Sequence, residues 1–374
     1  MKITIITGPF LCLPPYTIGA VEKLWYGLGD YWRKDGHEVT YISKKPENAE
    51  TKNINNIYVK GSERTGSWLK DFFIDFFYSF NALKAMPKTD VLILNTLWSP
   101  LMIRLFRRKY KLSVFSVERF PKKQIGIYDC LGGVDLFRCN STAVYNEVIK
   151  QSPKSMQKVI TVPNYIDTTI FNCKHEKRNM VTNEFIVSYA GRVNQEKGLH
   201  YIIKACNEIV LETGNKIRIQ IIGACDKERG GSGKEYVQEL NQLATTVKID
   251  WVDPIYNAAI LAEKLKEADA FCYPSIAEYG ETFGVAPLEA MGLGIPIIVS
   301  DLECFKDFAS NGINALIFNH RSKNPTDELK SKILELIQDD KLRKKISEEG
   351  FKTAQNFNAE SISKQYEEIF EKYL

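Results

Sequence analysis

The chain has 374 residues, 44% of them hydrophobic and 26% charged, with a formal net charge of +4. These proportions exclude a disordered, collagen-like or coiled-coil chain, and the length suggests two domains at roughly 150 residues each. No uninterrupted apolar run is long enough to cross a bilayer, since even Phe283 to Ser300 carries Glu289 and five Gly or Pro residues.

The N-terminus, MKITIITGPF, has one Lys and then an apolar strand entering a Gly-Pro turn. It lacks the small-residue cleavage pattern of a signal peptide, so a cytoplasmic protein is expected. The first strand, Ile3 to Ile6, leads through a loop containing Pro9, Pro14, Pro15 and Gly19 into a helical pattern from Gly19 to Lys34. Asp35-Gly36-His37 then turns the chain into a strand from Glu38 to Ile42, completing a β-loop-α-β unit. Trp68 to Met86 places Phe72, Phe73, Phe76, Phe77, Phe80 and Leu83 at helical spacing, with Asp71, Asp75 and Ser79 on the opposite face. A membrane-surface helix favours Lys and Arg opposite its apolar face, so a core helix, with room for an exposed aromatic rim, is preferred to membrane docking.

Further short apolar runs, Val91 to Leu94, Leu112 to Val117 and Leu136 to Cys139, alternate with helical stretches. That alternation predicts a mostly parallel, doubly wound sheet. Residues 1 to 166 carry 24 Lys and Arg against 14 Asp and Glu, a net +10, and the remainder carries 26 against 32, a net −6. Arg104, Arg107, Arg108, Lys109, Lys111, Arg119, Lys122 and Lys123 supply much of the excess. The cluster reads either as a solvated face or as a surface for an anionic membrane or phosphate-bearing acceptor, and nucleic acid is not expected.

After a polar stretch, Asn172 to Asn183, read as a linker, strands are expected at Phe185 to Tyr189, Ile217 to Ile222, Lys248 to Trp251, Ala270 to Tyr273, Ile297 to Val299 and Ala315 to Phe318. Asp327 to Leu374 is charged and helical in pattern, with a break near Phe351 to Asn358, and predicts two or three C-terminal helices. The eight cysteines form no C-x-x-C pair and are expected to be reduced, mostly buried thiols.

Two segments carry chemistry. Ser275 to Gly294, SIAEYGETFGVAPLEAMGLG, puts Glu281 in a glycine-bearing loop and Glu289 eight positions later, where the segment turns helical near Pro287. Free N-H groups at such a helix start suit a phosphate, a loop carboxylate suits sugar hydroxyls, and a first-turn carboxylate suits a ribose diol. In the plainer alternative Glu289 caps its helix and Glu281 is a solvated acid. Tyr189 to Gly198, YAGRVNQEKG, follows a strand, turns at Gly191 and delivers Arg192 and Lys197, two cations able to grip a diphosphate. Arg229 to Glu235, RGGSGKE, fails as a phosphate loop because Glu228 stands where the first Gly is needed and Glu235 in the Ser/Thr place. No D-x-D triplet or H-E-x-x-H is present, and no metal is expected.

YAGRVNQEKG, the Glu281 and Glu289 pair within ETFGVAPLEAMGLGIPIIVSD, and VPNYID at Val162 to Asp167 resemble the retaining glycosyltransferases of family 4. That resemblance implies the GT-B fold, two doubly wound Rossmann-like α/β domains facing a central cleft. Residues 1–170 would form an acceptor-binding domain and 184–350 a nucleotide-sugar-binding domain, with a helix at 351–374 crossing back. It implies catalytic roles for Glu281, Arg192 and Lys197, to which Glu118 is added as a candidate from this sequence, and donor contacts from Gly19, Gly223, Thr282, Phe283, Gly284, Glu289 and Val252, the last beside the base. Ile18 replaces the first glycine of the family's usual pair. Glu118, in FSVERFP, stands where many relatives carry His, and reads either as a polar contact to sugar or acceptor or as a surface acid beside Arg119. His37, His175, His200 and His320 match no such position.

The expected activity is therefore transfer of a sugar from a nucleotide diphosphate sugar, UDP or GDP, to the hydroxyl of a glycan or lipid-linked acceptor in surface polysaccharide or glycolipid assembly. No cofactor or metal is expected, and the enzyme would work in the cytoplasm, with peripheral contact to the inner face of the membrane. The alternatives are a non-catalytic two-domain sugar or sugar-nucleotide binding protein and a GT-B-like epimerase, the latter needing a fuller set of acids and bases.

Overall fold

The computed structural model describes residues 1–14, 19–46, 55–121, 126–173 and 184–374. Ile18, Lys122, Lys123, His175 and most of the expected linker lie outside the described residues. The chain divides into two compact units, Met1–Tyr165 with Ala359–Leu374, and Ile166–Asn358. Both are Rossmann-like layers of helices on a parallel sheet, the doubly wound α/β architecture expected.

The first sheet contains β1 (Lys2–Ile6), β2 (Glu38–Lys44), β3 (Asn56–Val59), β4 (Thr89–Leu94), β5 (Tyr110–Val117), β6 (Leu136–Cys139) and β7 (Val159–Thr161), in the order β3-β2-β1-β4-β5-β6-β7. Every pairing is parallel, with Ile3 opposite both Val39 and Val91. The helix Ala20–Lys34 covers this sheet through Leu24, Trp25, Leu28, Gly29 and Trp32, a stripe at helical spacing. Gly29 allows the Tyr41 hydroxyl to reach the helix, because a Cβ there would lie 2.2 Å from that oxygen. The helix Ala359–Tyr373 completes the layer: Tyr366 stands 5.5 Å from the Trp25 ring and Phe370 5.7 Å from that of Trp32. Trp32 Nε1 donates to the Ser363 carbonyl.

The second sheet contains β8 (Phe185–Ala190), β9 (Ile217–Ile222), β10 (Lys248–Val252), β11 (Ala270–Tyr273), β12 (Ile297–Ser300) and β13 (Leu316–Phe318), in the order β10-β9-β8-β11-β12-β13. Its central strands β8, β11 and β12 are wholly buried, as expected where helices cover both faces, whereas the edge strand β10 is not.

Unit boundaries differ from those expected at 170, 184 and 350. The chain enters the second unit at Ile166, which bridges to Asn358, and the break in the C-terminal helices falls at Asn356–Asn358. Phe351–Gln355 continues the helix Asp340–Gln355, so only Ala359–Leu374 belongs to the first unit. β3 and β7 were not anticipated.

The largest departure is the helix Trp68–Ala85. It buries Asp75, Tyr78, Ser79, Ala82 and Leu83 and leaves Phe73, Phe77 and Phe80 exposed, so Leu83 packs inward as expected while Asp75 and Ser79 turn in and three of the phenylalanines turn out. The Asp75 carboxylate accepts the Trp98 backbone N-H at 3.1 Å and the Ser79 hydroxyl at 3.1 Å, and the Ser79 oxygen in turn lies 2.9 Å from the Thr96 hydroxyl, from which it can accept. A buried carboxylate with these donors fixes the helix rotation. Of the eight cysteines, Cys139, Cys206, Cys272 and Cys304 are buried, Cys130 is exposed and the rest are intermediate.

Removing the Phe370 ring should open a cavity against Trp32 and Tyr366. Phe370→Ala is expected to cost about 3–5 kcal/mol, read as a lower urea midpoint, with Phe370→Leu recovering most of the loss.

Candidate functional site

In the second sheet the chain steps outward from β8 to β9 and β10, then returns to lay β11 against the other side of β8. The loops leaving β8 and β11 therefore diverge, and ligands of open parallel sheets bind at such a switch point. The loop after β8 carries Arg192 and Lys197; that after β11 carries Glu281.

Lys197 is only 4% exposed, and its Nζ lies 2.5 Å from Glu281 Oε2. The same oxygen accepts the Tyr273 hydroxyl at 3.0 Å, and the ammonium stands 5.3 Å from the Tyr273 ring. Tyr273 stacks on Tyr189, whose hydroxyl donates to the Arg192 carbonyl at 2.8 Å. Burial, together with the Glu281 charge, pushes the Tyr273 hydroxyl well above the usual phenol range, so it remains a donor to the carboxylate. The backbones are tied as well: the Ile276 N-H donates to the Glu196 carbonyl at 2.8 Å.

Arg192 is exposed, 3.9 Å from Glu196, and beside the glycine segment Arg229–Glu235: a Cβ on Gly230 would lie 3.0 Å from its side chain. That segment fails as a phosphate loop by motif, yet its fold brings Ser232 N-H to the Val193 carbonyl and Gly233 N-H to that of Cys225. Gly223 has φ +159°, and a Cβ there would overlap the Gly191 carbonyl oxygen at 1.7 Å. Only glycine lets the ends of β8 and β9 approach so closely, with the Gly223 N-H donating to the Val252 carbonyl at the end of β10.

Gly284, at φ +92°, starts the helix Val285–Gly292 with no side-chain cap. The Phe283 ring is buried against Phe308 and Phe357, so this residue offers only its backbone to a ligand. Thr282 and Glu289 are half-buried. Glu289 is the fifth residue of the helix, in its second turn rather than its first as expected, because the helix begins at Val285, before Pro287.

Gly19 and Glu118 lie in the first unit. Gly19 precedes the helix Ala20–Lys34 with φ +118°, and a Cβ there would lie 2.5 Å from Glu22 Oε2. Glu118 is no surface acid beside Arg119. Its Oε1 accepts from Arg138 Nη1 at 2.7 Å and from Ser116 Oγ at 2.5 Å. Arg138, fully buried in β6, also donates to the Val162 carbonyl and to Asn164 Oδ1, each at 2.7 Å. The missed residues are thus Arg138, Glu22, Tyr189 and Tyr273. Arg138 had a signal, a charge inside the apolar strand LFRC that must find partners once buried.

His320 faces Glu278 Oε1 at 2.9 Å and Asp301, and Arg321 reaches both carboxylates at 2.6 and 2.9 Å. This cluster braces the loop that carries Glu281, three residues beyond Glu278. His37 instead meets the N-terminal amine and Glu367. Among the described residues no group of three or more His, Cys, Asp or Glu side chains is placed to hold a metal ion, and no helix is long and apolar enough to cross a membrane.

Residues 171–353, nearly all of the second unit, match the sequence family described as Glycosyl transferases group 1. A capsular polysaccharide biosynthesis glycosyltransferase of Staphylococcus aureus, CapM, is 28% identical over 208 residues, 54% of this chain and 50% of that protein. The chain thus spans about half the length of that relative. Among solved structures, sucrose-phosphate synthase from Thermosynechococcus elongatus superposes with a TM-score of 0.76 at 18% identity, covering 99% of this chain and 98% of that one. HepE of Anabaena, in complex with UDP and glucose, gives a TM-score of 0.69 at 17% identity, with 99% of each chain covered. The solved structures show the GT-B fold, and residues 171–353 are similar in sequence to glycosyltransferases.

Burial raises the Glu22 carboxyl above its ordinary 4.5; nearby Glu118 adds to this, while its own backbone N-H and Arg64 act against it. The folded state therefore keeps this proton to higher pH than the unfolded chain. The contribution to stability is full below about pH 4.5 and is lost as pH rises through the raised value. Glu22→Gln should melt above the wild type at pH 7, and the difference should vanish near pH 4, as read by thermal melts across that range.

Proposed function

We propose that the protein is a retaining, family 4 type glycosyltransferase that moves a hexose from a UDP- or GDP-sugar to an acceptor hydroxyl. The observation that carries this reading is the buried Lys197–Glu281 pair at the β8/β11 switch point, with Arg192 at its rim. A lysine ammonium has three hydrogens, and with one directed at Glu281 it can still donate to a phosphate oxygen. Arg192 supplies a planar fork to the same diphosphate. Together with the backbone N-H groups at Thr282, Phe283 and Gly284, these cations stabilise the charge that develops on the departing diphosphate. Glu281 contacts the hydroxyls of the transferred sugar, Glu289 holds the ribose, and Gly223 and Val252 border the nucleoside.

From the first unit, Gly19 lets the backbone approach the phosphate or the sugar. Glu118, held in place by Arg138, contacts sugar or acceptor hydroxyls. Retention follows if the acceptor attacks from the face the diphosphate leaves, with a phosphate oxygen taking the acceptor proton. Charge neutralisation by Arg192, Lys197 and backbone dipoles leaves no step that needs a metal. CapM's role in capsular polysaccharide biosynthesis favours surface polysaccharide or glycolipid assembly in the cytoplasm as the setting, with a glycan or lipid-linked acceptor.

Thermal unfolding against UDP, GDP, ADP and dTDP and their sugars tests the donor. The matching nucleotide at about 100 times its Kd adds about 2.7 kcal/mol, a rise of roughly 2–4 °C, and no response across the panel overturns the donor site. Glu281→Gln should lower transfer by about 10²–10³-fold with nucleotide affinity nearly unchanged; unaltered turnover removes Glu281 from the chemistry. Turnover should also persist in EDTA, and loss reversed by Mn²⁺ or Mg²⁺ refutes the metal-independent mechanism.

A further inference from the structure

The inverted helix Trp68–Ala85 leaves an apolar stripe in water. Phe73 is 58% and Phe77 63% exposed, and Trp68, Leu69 and Phe80 are exposed with them. The stripe continues onto the adjoining stretch Ser99–Lys109, where Leu101 and Leu105 are exposed in turn. The two elements are locked together: Phe80 stands 5.9 Å from Phe106, and Trp98 meets Phe72 at 4.7 Å and Phe76 at 5.1 Å. Lys109 Nζ also donates to the Lys84 and Met86 carbonyls. Single exposed apolar side chains are ordinary, whereas a contiguous group marks an interaction surface.

Charge around the stripe is mostly positive. Residues 68–111 contain eight Lys and Arg against three Asp and Glu. Asp75 is buried, Asp71 accepts from the Thr65 N-H and hydroxyl, and Asp90 pairs with Lys111 at 2.8 Å. Lys70, Lys84, Arg104, Arg107 and Arg108 remain exposed. Aromatic side chains at the boundary of a bilayer, with cations at the height of its headgroups, form the arrangement that binds anionic lipid. A second copy of the chain is a poor occupant, because a self-complementary contact would bring the cationic groups face to face.

We propose that this face of the first unit docks on an anionic lipid bilayer, with Phe73 and Phe77 inserted among the lipids and Arg104 and Arg108 against headgroup phosphates. Asp75, by fixing the helix rotation, keeps the phenylalanines outward. The inference does not depend on which sugar is moved.

The test is cosedimentation of the full chain with phosphatidylglycerol or phosphatidylcholine vesicles. The wild type should bind phosphatidylglycerol at least about tenfold more tightly, and less so as salt rises. Phe73→Ser with Phe77→Ser should weaken that binding about tenfold or more while leaving the melting temperature unchanged or higher. Arg104→Ser with Arg108→Ser should weaken binding to phosphatidylglycerol alone. A vesicle-induced blue shift of fluorescence that Trp68→Phe abolishes is a second, independent expectation. Wild type that stays in the supernatant with phosphatidylglycerol, or a phenylalanine variant that binds as the wild type does, overturns the proposal. So does a dimer in sedimentation velocity that the phenylalanine variant abolishes, which would assign the face to a second copy.

Discussion

A buried ammonium must find a carboxylate, and Lys197 finds Glu281, 84 positions further along the chain. Charges taken out of water are costly unless paired and hydrogen-bonded, so this contact dictates what surrounds it. Tyr273 donates its hydroxyl to the shared carboxylate and offers its ring to the ammonium. Tyr189 supports that ring from behind and holds the Arg192 carbonyl. The loops after β8 and β11 are thus joined by side chains and by the Ile276–Glu196 backbone bond. Gly223 packs the neighbouring strand ends close enough for the site to form.

The first unit solves a related problem differently. Its buried cation, Arg138, lies inside a strand and distributes its donors among Glu118, Val162 and Asn164. Glu22 lies beneath Gly19 with its ionised form disfavoured by burial. One unit therefore presents a compensated positive centre at a switch point, and the other a carboxylate whose direction is set by an arginine beneath it.

Much of this was legible in the chain. Short apolar runs located most strands within two residues, and the sequence singled out Lys197 and Glu281, which the structure brings together from the loops after β8 and β11. β3 and β7 escaped because each lies at a sheet edge and is too short for alternation to register. Tyr189 and Tyr273 escaped because an aromatic residue at a strand end looks like core. The phenylalanine helix was misoriented for a more general reason. Periodicity tells which residues share a face but not which face turns inward, and here the Ser79 hydroxyl and the Trp98 backbone N-H, both donating to Asp75, decided it.

The placement of Ala359–Leu374 in the first unit bears on how the protein is made. Trp25 and Trp32 leave the ribosome before residues 166–358 are made, yet the rings that cover them, Tyr366 and Phe370, follow only after that unit. Residues 166–358 are complete before that, so the second unit can fold while the first is still missing part of its core. The portion Met1–Tyr165 must wait with two tryptophans uncovered until Ala359–Leu374 has been made.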